Sequence, residues 1–140
     1  GSVWAVSRAG LLLAFVLPLI LAACSGSEDA GRGLYTKFCA SCHGTNLEGQ
    51  PDWKQRLPSG RLPAPPHNAD GHTWHHSDEQ LLIMIRDGLE AIAPGYETDM
   101  PAFADVLSDD EIMDILEYIK STWPERERDY QQARSLPSKD

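Results

Sequence analysis

The sequence predicts a small all-α domain with long loops. Three observations carry this reading. Three segments place apolar residues at spacings near 3.6, two of those segments open on capping boxes, and no segment is rich in strand-forming residues. The length of 140 residues suits one domain, and no internal repeat divides it.

The elements follow in chain order. Residues Ala9 to Ala23 contain no charge; Arg8 precedes them and Leu21-Ala22-Ala23-Cys24 closes them. A positive residue, an apolar run and small residues before a cut site make a secretory signal over residues 1–23. The run is short for a membrane span, which needs about 20 apolar residues, and Pro18 interrupts it. Its ending resembles a bacterial lipobox, which implies that Cys24 becomes the lipidated first residue of a mature protein. Residues 24–30 then read as a lipidated polar tether. A helical pattern runs from about Glu28 to Cys42 through Leu34, Tyr35 and Phe38, with Gly44 to end it. Residues 45–76 have no periodicity and hold five prolines, which reads as a long structured loop. Ser77-Asp-Glu-Gln80 is a capping box, followed by Leu81, Leu82, Ile85 and Leu89 on one face. A second loop spans residues 90–107. Ser108-Asp-Asp-Glu111 caps a third helix with the stripe Ile112, Ile115, Leu116 and Ile119, which Pro124 stops. The expected domain covers residues 31–124, with a polar, frayed tail over 125–140. Three modest helices give little core material, and scaffolds of this size usually need a staple.

The stretch Phe38-Cys-Ala-Ser-Cys-His-Gly44 suggests one. Two thiols and an imidazole within five residues fit three chemistries: a redox-active thiol pair, half of a zinc site, or covalent haem attachment. A zinc site needs a second ligand pair, and the one further cysteine is Cys24. A reactive thiol pair belongs at a helix start after a strand, where the dipole lowers its pKa; this pair falls at a helix end. On a helix, Cys39, Cys42 and His43 lie at i, i+3 and i+4 and face one way, so both vinyl groups of a haem can take a thioether while the histidine comes beneath the iron. Export also disfavours idle thiols. This reading employs all three cysteines.

The segments GLYTKFCASCHG, DMPAF and LSDDEIMDILEYIKSTW, across most of residues 31–123, resemble class I c-type cytochromes. The resemblance implies a helical domain wrapped around one covalent haem c, with the last helix packed across the first and Tyr35 or Phe38 against Tyr118 at the crossing. It implies His43 and Met100 as axial ligands of the iron, since Met100 precedes Pro101 in the loop before the last helix. Met84 and Met113 read instead as core filler within helices. The family also orients its proximal histidine through a proline carbonyl; Pro63, Pro65 and Pro66 are the candidates, and spacing does not choose among them. Pro65, Trp74 and Arg61 are taken as haem surroundings, the last two (with Arg56) as possible partners of its propionates. Trp53 and Trp123 read as core aromatics.

His67, His72, His75 and His76 crowd one short segment. The plain reading is a polar loop hydrogen-bonded to propionates or to itself. A sharper one is a second metal site, such as copper, on His72, His75 and His76. Without residues 1–23 the chain keeps 11 basic and 21 acidic side chains, so its formal charge moves from −9 to −10 with the loss of Arg8. This disfavours nucleic acid, and it disfavours anionic lipid unless a lipid anchor is present. The expected function is an exported, membrane-anchored electron carrier that works with a redox donor and acceptor and is not itself an enzyme. The rivals are a copper-handling haem lipoprotein and a ligand-sensing haem protein. Glu97 and Asp99, beside Met100, would favour a basic partner.

Overall fold

The computed structural model describes residues 1–3 and 22–137, except the side chains of residues 22–25. The signal segment therefore lies outside the described residues apart from its two ends, as does the Cys24 side chain. The described residues form five helices: α1 (Ala22–Phe38), α2 (Ala40–His43), α3 (Asp78–Asp87), α4 (Asp109–Ser121) and α5 (Glu125–Ser135). Two 3₁₀ turns, Thr73–His75 and Leu89–Ala91, interrupt the loops. No strand occurs among the described residues.

Both capping boxes form as the sequence predicts. The Ser77 hydroxyl accepts from the Gln80 N–H, and the Gln80 side chain accepts from the Ser77 N–H; Ser108 and Glu111 repeat the exchange at α4. These pairs satisfy N–H groups that a helix start leaves orphaned. Gly88 ends α3 at φ +95°, a conformation that costs a glycine little.

The core is built on the crossing of α1 and α4. Tyr35 is 1% exposed, and its ring meets that of Tyr118 at 5.5 Å. Ile112, Ile115, Leu116 and Ile119 are buried on the same seam. The backbones approach so closely at Gly31 that any Cβ there would collide with the Asp114 carbonyl. Phe38 turns instead to Phe103, at 6.3 Å. Trp123 is buried, whereas Trp53 is half-buried and sits against His72 at the loop surface, not in the core as expected.

Three segments depart from the sequence reading. Helix α1 spans Ala22–Phe38 among the described residues, so the expected tether is helical; Glu28, Asp29 and Ala30 are polar or small but do not break a helix. The first helical pattern divides at Cys39, leaving α2 as a separate turn. The expected frayed tail is helix α5, which packs on the 3₁₀ turn at Thr73–His75 and is held by polar groups. The Gln131 amide donates to the His76 carbonyl at 3.2 Å, Asp78 Oδ1 at 2.7 Å and Ser135 Oγ at 3.0 Å. Ser135 Oγ also accepts the Asp78 N–H at 3.0 Å, at the start of α3.

Candidate haem attachment site

The end of α1 and the single turn of α2 bring Cys39, Cys42 and His43 onto one corner of the domain. The Cys39 N–H donates to the Tyr35 carbonyl at 2.8 Å, and the Cys39 carbonyl accepts from His43 N–H at 2.9 Å, so i→i−4 bonds continue across the break at Cys39. Both thiols are free of disulfides; Cys39 is half-buried and Cys42 exposed. Burial, with Cys42 nearby, pushes the Cys39 thiol up to about 11. That is the opposite of the lowered pKa a redox-active thiol pair requires.

His43 is buried, and its Nδ1 lies 2.8 Å from the Pro65 carbonyl oxygen. A carbonyl only accepts, so Nδ1 carries the proton and Nε2 presents its lone pair. Burial holds the imidazole below its ordinary pKa, against a smaller upward pull from the Pro65 carbonyl. The ring is thus kept neutral and oriented, as a metal ligand must be. Of the three candidate prolines, Pro65 makes this contact.

The loop that brings Pro65 there is closed by backbone contacts. Leu47 is buried at φ +61°, uncommon for a leucine. Its carbonyl accepts the His67 N–H at 2.9 Å. Gln50 N–H donates to the Ala64 carbonyl, and Gln50 Oε1 accepts from the Ala64 N–H. A Cβ on Gly49 would fall 2.5 Å from the Pro66 nitrogen, and one on Gly71 would collide with the Pro66 carbonyl. The two glycines let the loop fold tightly around Pro66.

Met100 lies in the second loop, half-buried. Its N–H donates to Thr98 Oγ1 at 3.1 Å, and the chain beyond it is pinned to α3 by Phe103 N–H to the Ile85 carbonyl and Ala104 N–H to the Arg86 carbonyl. Met100 lines a cleft of about 470 Å³ with Arg61, Asp87, Glu90, Tyr96 and Glu97. Arg61 is paired with Asp99 at 2.6 Å, which ties the first loop to the residue before Met100. Met84 and Met113 pack against the core.

The family model for cytochrome c matches residues 28–123, which takes in every residue of this corner. The chain belongs to the cytochrome c family. No curated protein and no solved structure gives a match of its own. The cofactor of this cytochrome is a covalently bound haem c, and the donor set fits that group: two disulfide-free thiols and an imidazole with its Nε2 lone pair available, on consecutive helical turns. No helix among the described residues is long and apolar enough to cross a membrane.

Other expected surroundings of the cytochrome's haem have their polar groups engaged elsewhere. Trp74 Nε1–H donates to the carbonyls of Ala69 and Gly71, so the indole closes its own loop. Arg56 donates to the Gly60 carbonyl. The histidine cluster is not gathered into a metal site. His72 and His76 meet edge to face with ring centroids 6.4 Å apart, while His75 is turned onto Trp74 at 3.9 Å and towards Tyr130. Among the described residues, no group of three or more His, Cys, Asp or Glu side chains is placed to hold a metal ion. The His75 ring packs on Trp74 and Tyr130, and not on the rings of the other two.

His67, which the sequence offers only as one of four histidines in a polar loop, is brought into the attachment site. Its ring lies against His43, with centroids 3.9 Å apart and planes 29° from parallel. Burial holds it well below its ordinary pKa, with His43 and His72 adding to the effect. Its position directly after Pro65-Pro66 was the available signal.

Proposed function

We propose that this cytochrome is an exported electron carrier, anchored to a bacterial membrane on its outer face through a lipid on Cys24, with His43 and Met100 as axial ligands. The observation that carries the ligation is the hydrogen bond of 2.8 Å from His43 Nδ1 to the Pro65 carbonyl. It fixes the tautomer, aims Nε2 and raises the basicity of the ring. When bound, haem supplies an iron that accepts and returns one electron. The chain's part would be to hold the iron through His43 and Met100, so that no substrate reaches the metal, and to keep the surroundings unchanged between oxidation states. A neutral thioether from Met100 favours the reduced state and raises the potential. The pinned loop around Met100 supports that role, because a ligand on a fixed loop does not exchange readily. Asp87, Glu90 and Glu97 outnumber Arg61 in the lining of the Met100 cleft and favour a basic redox partner, which the negative formal charge of −9 also favours.

Visible spectra of the holoprotein test the ligation. Low-spin iron in both oxidation states, a sulfur-to-iron band in the ferric form that disappears in Met100→Ala, and no carbon monoxide binding at neutral pH are expected. Ready carbon monoxide binding to the reduced wild type would favour a ligand-sensing protein instead. Mass spectrometry of the exported protein checks the anchor. A diacylglyceryl group on an N-terminal Cys24 is expected, and an unmodified N-terminus or an intact residue 1–23 segment would refute it.

A further inference from the structure

We propose that His67 is a positioning residue for His43, stacked on its face so that the plane of the imidazole is fixed as well as its tautomer. The proposal rests on His43 ligating the iron. The Pro65 carbonyl restrains His43 at one atom, Nδ1. That hydrogen bond limits rotation about Cβ–Cγ, yet a hydrogen bond tolerates tilting by some tens of degrees before it weakens steeply, roughly down to 120° at the donor. A second ring lying 3.9 Å away against its face removes that freedom. Edge and face restraints together define a plane.

His67 is itself held at ring and backbone, as a positioning group must be. Its Nδ1 shares a hydrogen bond of 2.7 Å with the hydroxyl of Thr73, which is buried. Its N–H donates to the Leu47 carbonyl, and its carbonyl accepts Trp123 Nε1–H at 2.7 Å. The Tyr35 ring presents edge-on at 6.5 Å. Pro66, clamped between Gly49 and Gly71, separates it from Pro65. The segment Pro65-Pro66-His67 therefore acts as one clamp, with a carbonyl on the edge of His43 and a ring on its face. The same geometry excludes His67 as the ligand opposite His43, because two rings stacked this closely cannot approach one iron from opposite sides.

A position that merely filled space would be served by any apolar side chain of similar volume, so the test compares shape with ring character in the holoprotein. In His67→Leu the His43 ring can tilt against the Pro65 carbonyl, which weakens that hydrogen bond and lowers the basicity of the ring. Ferric iron, the harder acid, loses more than ferrous iron. The expected result is a ferric-to-ferrous equilibrium moved about threefold towards the reduced form, roughly 28 mV for a one-electron couple. Altered anisotropy of the ferric electron paramagnetic resonance should accompany it, because the imidazole plane orients the half-filled iron orbital. His67→Phe, which keeps a stacked ring, should restore both signals. Thr73→Val, which leaves both histidines in place but frees His67, should move them in the same sense by less. If His67→Leu lowers the melting temperature and leaves potential and resonance at wild-type values, His67 is packing only and the proposal fails. If that variant does not fold, Thr73→Val decides, and unchanged signals there overturn the proposal. Failure of the underlying ligation is separately visible, as wild-type resonance without histidine on the iron.

Discussion

The Tyr35 hydroxyl donates to the Gly44 carbonyl at 2.7 Å and so ties the end of the attachment motif back to α1. Burial, with Cys39 as a lesser cause, raises its pKa, so it remains a donor at any physiological pH. Gly44 sits at φ +87°, and its carbonyl also accepts the Leu47 N–H at 3.2 Å. Tyr35→Phe would keep the ring contact with Tyr118 but take one of two donors from that carbonyl. The expected loss is about 1 kcal/mol of unfolding free energy in denaturant titration, with haem attachment intact. A loss near zero would mean that the bond is an incidental contact. At this scale the attachment triad was legible, because Cys39, Cys42 and His43 are neighbours along the chain and their spacing alone puts them on one face. Pro65 and His67 were not legible in the same way. Pro65 lies 22 residues beyond His43, across a loop without periodicity. Its selection over Pro63 and Pro66 is made by the left-handed turn at Leu47 and by Gly49, which only the folded loop reveals.

The helices divide by what holds them. Helices α3 and α4 carry capping boxes and apolar stripes, so both start and face could be read from local pattern. Helix α5, Glu-Arg-Glu-Arg-Asp-Tyr-Gln-Gln-Ala-Arg-Ser, carries no apolar stripe, and its buried residues are Glu127 and Gln131. Hydrophobic periodicity has nothing to detect there. The helix docks through the Gln131 amide and the Ser135 hydroxyl, and Tyr130 sets its ring edge against Trp74 at 5.2 Å. Gln131→Leu keeps the volume and removes the amide donor. It leaves the His76 carbonyl without that donor, and Asp78 Oδ1 with Lys120 as its remaining side-chain partner. Removing one partner of buried polar groups costs about 1–3 kcal/mol, so the melting temperature should fall clearly. Because α5 packs on the Thr73–His75 turn and not on the motif, the visible spectrum should not change. A spectral change would show that α5 supports the haem site through the Thr73–His75 turn and His67.

At the scale of the whole molecule, the acidic charge and the histidine-rich loop act in different pH ranges. His72 is held below its ordinary pKa by burial, with His76 and His75 adding to it; Trp53 lies against its ring. His76 is also depressed, first by burial, with His75 and Arg134 in the same sense and a Gln80 hydrogen bond opposing. An unfolded histidine titrates near 6.5. Between that value and the depressed native ones, the unfolded chain binds more protons than the native protein. Stability is therefore full above about pH 6.5 and declines as pH falls through the native values. The depressed carboxylates Asp87 and Glu127 act in the same direction but only below the ordinary carboxylate range, so they leave this window to the histidines. His67 belongs to the same class by burial, so substituting the other two should reduce the slope without abolishing it. Urea midpoints measured from pH 7.5 to 5 on the wild type and on His72→Asn/His76→Asn check this. The wild type should lose stability steadily across the range and the double variant less steeply. Parallel curves would show that the two rings gain their protons as freely in the folded protein as in the unfolded chain, and that the loop around them is open to water.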